Sequence, residues 1–268
     1  MTNPYSHQAR KRFGQNFLID QGILQRMDQA FGVKTEDRVV EIGPGLGALT
    51  ELLLARCPEL DAIELDRDLA RILQTKFNDW PGFRVHQADA LTFDFSEIAQ
   101  GEPLRVIGNL PYNISTPLIF HLLGFKNRIK DMNFMLQKEV VERMGAPSGT
   151  KIYGRLSIMC QYHCQVVPLF TVPPGAFQPA PKVDSAVVRL TPHKSPKWLA
   201  NDEALLETLV RTVFQARRKT LRNGLKPLIA PAQLEGLGFA LDARPETLSV
   251  ADFVNLANAI SDLKSTND

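Results

Sequence analysis

Three stretches of this chain carry residue types whose spacing could do chemistry. The first is Glu41-Ile42-Gly43-Pro44-Gly45-Leu46-Gly47, between a short apolar run and a helical pattern. Gly43 and Gly45 let a backbone turn sharply and approach a ligand without a Cβ in the way. With Ala48 they also fit the dinucleotide fingerprint G-x-G-x-x-A, and a tight turn that binds nothing is the plainer reading of the glycines alone. The acids that follow narrow the choice. Glu64 ends the next strand-like run, about twenty residues on, where a carboxylate can accept hydrogen bonds from both ribose hydroxyls. Asp66 is placed to cap the helix that starts at Arg67. Asp89 closes a third run, in QADAL, and could accept from an adenine amino group. Three carboxylates, Glu41 included, would repel a pyrophosphate, whereas a nucleoside bearing a sulfonium would be welcome among them. The loop points to S-adenosylmethionine rather than a nicotinamide dinucleotide.

The second stretch is Asn109-Leu110-Pro111-Tyr112, after another strand-like run. Pro111 keeps Leu110 out of the helical region and stiffens the bend, so the Leu110 carbonyl points one way. Asn109 adds an amide oxygen. Two acceptors suit the two N–H bonds of an exocyclic amine, and Tyr112 offers a face for a base. An adenine amino nitrogen is a poor nucleophile because its lone pair is delocalised into the ring. Two acceptors would draw it toward sp³ and aim the lone pair at a methyl donor, catalysis by positioning and fixed dipoles. No early base is needed, because the proton becomes acidic only after transfer.

The third stretch is basic. Residues 211–226 carry six cations and no acid, among them Arg217, Arg218, Lys219 and Arg222, and are read as a helix with a positive face. Residues 1–19 also lack acid and carry Arg10, Lys11 and Arg12. Against a net charge of only +2, such concentration suggests a phosphate-rich partner.

The elements that must hold these residues alternate. Strand-like runs at 38–43, 60–65, 83–89, 104–109 and 132–136 are separated by helical spacing at 48–55, 67–77 and 115–123. That order predicts a mostly parallel sheet covered by helices. Further runs at 165–172 and 185–191, joined by a Pro-rich loop and no helix, predict an antiparallel addition at the edge. After a linker at 193–201 only helical patterns remain. The expected fold is a Rossmann-like α/β domain, residues 1–192, followed by a small all-helical domain, residues 193–268.

With 268 residues, 44% hydrophobic and 22% charged, the chain excludes disordered and fibrous classes. It has no apolar run long enough to span a bilayer. Three cysteines form no even framework and suit a reducing compartment, so a cytoplasmic location is expected. Cys160, His163 and Cys164 lack a fourth ligand nearby, so no metal is expected. His86 and His121 are read as structural.

In GQNFLID (14–20), EIGPGLGALT (41–50), IELDRDLA (63–70), GNLPYNISTPL (108–118), VPPGAFQPAPKVDSAVVRL (172–190) and QARRKTLRNGL (215–225) the chain resembles the small-subunit (16S) ribosomal RNA adenine N6,N6-dimethyltransferase A family, a class I methyltransferase group. Gly224 departs from the polar residue expected there. The resemblance implies dimethylation of two adjacent adenines in a hairpin near the 3′ end of small-subunit RNA, late in small-subunit biogenesis. S-adenosylmethionine would be the donor and S-adenosylhomocysteine the product, with no metal. It implies that Gln15, Asn16 and Leu18 cover the cofactor's methionine and ribose end and that Gly43 and Gly45 line its loop. Glu64 would hold the ribose, Asp89 and Ala90 the adenine, and Asn109 the reactive centre. Phe177 would close the target base against Tyr112, and the basic segments would hold RNA of an immature small subunit, by a monomer. Two alternatives stay open: the related large-subunit RNA dimethylase, and a ribosome-assembly factor in which methylation is secondary.

Overall fold

The computed structural model describes residues 15–99 and 101–267. Arg10, Lys11 and Arg12 lie outside them. Two compact units emerge. The first runs to Val141 and resumes over Val167–Pro192; the second combines Glu142–Val166 with the chain from His193 onward. The division expected at residue 192 therefore describes the units only in part, because residues 142–166 group with the C-terminal helices.

The first unit is built on a seven-stranded sheet. Its strands are β2 (Arg38–Ile42), β3 (Leu60–Glu64), β4 (Phe83–Gln87), β5 (Leu104–Asn109), β6 (Ile129–Gln137), β7 (Cys164–Val172) and β9 (Ser185–Pro192), in the order β4-β3-β2-β5-β6-β9-β7. The first five are parallel, and β9 runs antiparallel to β6. A two-stranded ladder that sequence reading did not anticipate joins β1 (Phe17–Leu18) to β8 (Phe177–Gln178). Two residues carry too little pattern to announce a strand, and pairing decides it.

Three helices cross between the parallel strands: α2 (Ala48–Arg56), α3 (Arg67–Lys76) and α4 (Ser115–Leu123). Asp66 caps α3 by accepting from the Asp68 amide at 3.0 Å. Ahead of the sheet lies α1 (Gln21–Phe31), capped by Asp20, which accepts from the Ile23 amide at 3.0 Å. Apolar side chains of α1, α2 and the central strands, among them Met27, Phe31, Leu53, Val39 and Ile107, are buried in one core. His86 and His121 are satisfied internally, at the Asp61 carboxylate (2.7 Å) and the Phe93 carbonyl (2.8 Å).

After β6 comes α5 (Lys138–Met144), and the second unit gathers α6 (Arg155–His163), α7 (Glu203–Gln215), α8 (Leu221–Gly224), α9 (Pro231–Glu235) and α10 (Val250–Asn267). Tyr153 meets Phe214 edge to face at 6.5 Å, and Arg155 pairs with Glu207 at 2.9 Å, which ties residues 142–166 to α7. Cys160 and Cys164 are buried thiols, and burial pushes Cys160 up.

Candidate functional site

At the carboxyl edge of the parallel strands a cavity of about 710 Å³ opens. Ligands of open α/β sheets bind at this edge. Its walls bring together Gln15, Asn16, Leu18, Gly43, Gly45, Glu64, Asp89, Ala90, Asn109, Leu110, Pro111 and Tyr112. The strand ends that supply Glu41, Glu64 and Asn109 adjoin in the order β3-β2-β5, so three distant stretches of sequence meet at one rim.

The glycine loop is shaped by backbone that favours glycine: φ is +66° at Gly43 and +59° at Gly45. A Cβ on Gly45 would stand 3.1 Å from the Phe17 ring, so that ring lies directly over the loop. Phe17 is a cavity-lining residue that sequence reading passed over. Glu64 is buried and held by the Asp66 amide (2.9 Å) and the Gly45 amide (3.3 Å). Glu41, also buried, accepts from the Thr50 hydroxyl at 2.6 Å. Neither carboxylate has a cationic hydrogen-bond partner among the described residues. Burial, with the charge of Glu64 nearby, pushes Glu41 up to about 7; burial pushes Glu64 up to about 7 as well. Two such carboxylates make a pocket that favours a positive ligand. Asp89 is held by the Leu91 amide at 2.9 Å.

The bend after β5 is pinned at several points. Leu110 donates its amide to the Met135 carbonyl at 3.1 Å. The Asn109 side-chain Nδ2 donates to the Asn16 carbonyl at 3.2 Å, which turns Oδ1 into the acceptor left to the cavity. Tyr112 is anchored by its hydroxyl, 2.7 Å from the Ser185 Oγ, and by its carbonyl, which accepts from Ser115 Oγ at 3.0 Å. No local signal marked Ser185 in the sequence, because the contact spans 73 residues.

Phe177 is placed elsewhere. It does not line the cavity; it is 4% exposed in the core, opposite Leu18 in the β1–β8 ladder. The ladder turns its ring inward, so the projecting stack expected from its proline neighbours is not its position in this structure. The basic run also differs from its expected form. α7 ends at Gln215, so Arg217, Arg218 and Lys219 occupy turns rather than a helix face. Arg217 donates to the Thr150 and Lys151 carbonyls. Arg222, on α8, pairs with Glu235 at 2.7 Å and approaches Asp242 at 3.6 Å. The run is free of acid in sequence, but folding supplies acids from downstream.

A mostly parallel sheet with an antiparallel β9, glycine loop and acid-lined cavity define a class I, Rossmann-like methyltransferase. A profile of ribosomal RNA adenine dimethylases matches residues 6–262. A ribosomal RNA small subunit methyltransferase A of Marinobacter nauticus is 57% identical over 98% of this chain and 95% of its own length. Among solved structures, a dimethyladenosine transferase from Plasmodium falciparum (28% identical, TM-score 0.77) covers 94% of this chain and 98% of its own. The 23S rRNA methyltransferase ErmE (25% identical, TM-score 0.68) covers 92% and 100%. The chain belongs to the ribosomal RNA adenine dimethylase family. It is an rRNA adenine methyltransferase, and S-adenosylmethionine is its methyl donor.

The residues present fit that donor. Glycine backbone leaves room at the loop, and two buried carboxylates without a cationic hydrogen-bond partner await positive charge. Among the described residues no helix is long and apolar enough to cross a membrane.

Proposed function

We propose that this protein dimethylates N6 of two adjacent adenines in a hairpin near the 3′ end of small-subunit ribosomal RNA, acting as a cytoplasmic monomer on the immature small subunit. The observation that carries the reading is the meeting of the Asn109–Tyr112 bend with Gly43, Glu64 and Asp89 around one cavity. When bound, the donor supplies a sulfonium methyl: an N–C bond forms at N6, the S–C bond breaks with its electrons kept by sulfur, and a proton then leaves nitrogen. The chain's own groups do the rest. Glu64 accepts from ribose hydroxyls, and Asp89 with Ala90 holds the adenine of the donor. Gln15, Asn16 and Leu18 cover its other end. Asn109 Oδ1 and the Leu110 carbonyl grip the target amine, and the Tyr112 ring carries its base. Arg218 and Lys219 meet RNA phosphates, with Arg10, Lys11 and Arg12 as further contacts and Arg217 and Arg222 sharing their charge with the fold's own acceptors.

The small-subunit choice is supported by the 57% identity to the small-subunit methyltransferase, against 25% to the large-subunit one. Methyl incorporation should be measured on unmethylated immature small subunits and on naked large-subunit RNA fragments, with wild type and Asn109→Ala. Transfer to small subunits that Asn109→Ala abolishes is expected. Transfer only to large-subunit fragments would overturn the substrate, and equal transfer by both proteins would overturn the site.

A further inference from the structure

The Tyr112 ring is held more firmly than a base-stacking face needs merely to exist. Its hydroxyl is 2.7 Å from the Ser185 Oγ, and Ser185 is fully buried as the first residue of β9. Its carbonyl accepts from Ser115, buried at the start of α4. The Ser185 end is itself fixed, since the neighbouring Asp184 carbonyl accepts from the Lys138 amide at 3.0 Å and Ser185 sits opposite Gln137. The Ser185 hydroxyl thus fixes the far end of the ring, and the Ser115 hydroxyl fixes the main chain that carries it.

The reaction has a feature that makes this orientation consequential. An unmodified adenine amine has two N–H bonds for two acceptors, the Asn109 Oδ1 and the Leu110 carbonyl. After one methyl transfer a single N–H remains. One acceptor loses its donor, and the grip on the amine weakens by one hydrogen bond. The second transfer therefore depends more on the stacked base being held at the right angle, and that angle is set by the Tyr112 ring.

We propose that Ser185 is a positioning residue which, through the Tyr112 hydroxyl, governs whether methylation proceeds from the mono- to the dimethylated base. The proposal rests on the reading of Asn109–Tyr112 as the amine-binding bend.

The test compares wild type, Ser185→Ala, Tyr112→Phe, the double variant and Tyr112→Ala. Each is given unmethylated immature small subunits and donor in a time course. N6-methyl- and N6,N6-dimethyladenosine are then quantified by mass spectrometry. Ser185→Ala should slow the second transfer about fivefold more than the first, the worth of one neutral hydrogen bond. Tyr112→Phe should shift the ratio of second to first transfer by the same factor whatever it does to the overall rate, so in both the monomethylated base accumulates. The double variant should be no slower than either single one, because both remove the same bond. A monomethyl fraction equal to that of wild type, or slowing of both transfers in equal measure, overturns the proposal, as do single effects that multiply in the double variant. Should Ser185→Ala fold poorly in a thermal melt, Tyr112→Phe deletes the same bond from the half-buried tyrosine side and decides alone. Tyr112→Ala separates the two levels: unchanged transfer there sinks the bend reading itself, whereas slowed transfer with a normal product ratio in Tyr112→Phe sinks only the role of Ser185.

Discussion

The two ends of the parallel sheet bury charge in opposite ways. Where the strands begin, Arg105 on β5 donates to Asp131 (2.9 Å and 3.0 Å) and to Asp37 (2.8 Å), and also reaches the Phe31 and Gly32 carbonyls. Lys130 adds a 2.6 Å contact to Asp37. Burial alone would raise Asp37, but bonds from Lys130, the Lys34 amide and Arg105 outweigh it and hold its carboxyl below the usual range. Where the strands end, Glu41 and Glu64 are as deeply buried, yet among the described residues no cation hydrogen-bonds to either. The charge of Lys76 near Glu41 does not outweigh burial, and both are pushed up to about 7. Burial is common to the two ends; the partner decides. One end spends its charge on the fold, and the other holds it in reserve for a ligand.

Substitutions can break this contrast, beginning with the largest effect. Arg105→Ala leaves Asp131 without that cation and Asp37 with Lys130 alone, and should destabilise the protein by about 3–5 kcal/mol, read from denaturant midpoints. A midpoint equal to wild type would mean the paired end is not what stabilises the sheet. Asn109→Ala should leave that midpoint in place while lowering the single-turnover transfer rate roughly 10²–10³-fold. A parallel loss of stability would blur the division of labour between the ends. Glu64→Gln should weaken donor binding about 10- to 100-fold by calorimetry, because a charged acceptor for the ribose becomes neutral.

The smallest effects are in pH, and they have opposite signs. A carboxyl raised in the folded state contributes stability that is present at low pH and lost as pH climbs through its folded value, here about 7 for Glu41 and Glu64. A lowered carboxyl such as Asp37 loses its contribution as pH falls through the carboxylate range. Glu41→Gln should therefore stabilise the donor-free protein above about pH 7 and change little in acid. A cationic donor favours the ionised carboxylates, so its affinity should rise with pH through about 7, with proton release visible as buffer-dependent heat. A flat profile would show that the two carboxylates do not sense the ligand's charge.

Much of this was legible in the residues. Short apolar runs closed by Glu64 and Asn109 announced strands whose last residues reach one edge, and φ-permissive glycines announced the loop between them. Asp66 as a cap and Ser115 as a helix start followed from local chemistry. What escaped was set by long-range pairing. Phe17 and Phe177 belong to a strand pair too short for a pattern, and that pairing buries the ring that proline neighbours had suggested would project. Arg217 and Arg222 looked free because their partners lie at Thr150, Glu235 and Asp242. Residues 142–166 sit between strands in sequence but group with distant helices, which no linear reading of periodicity reveals.

The roof of the cavity is stitched largely by main-chain atoms. Ile19 and Asp20 donate to the Ala176 carbonyl at 2.9 Å and 3.3 Å, and the Asn16 carbonyl receives the Asn109 amide. A peptide group is the same whatever side chain it bears, so residues 16 and 19 can be exchanged without unpicking the seam, whereas Leu18 is packed in the core and Asp20 caps α1. Proline is the exception at 19 and 20, where it deletes a stitch. The cover over the donor is thus tuned by the side chains that face the cavity, while main-chain bonds, the packing of Leu18 and the Asp20 cap hold it in place.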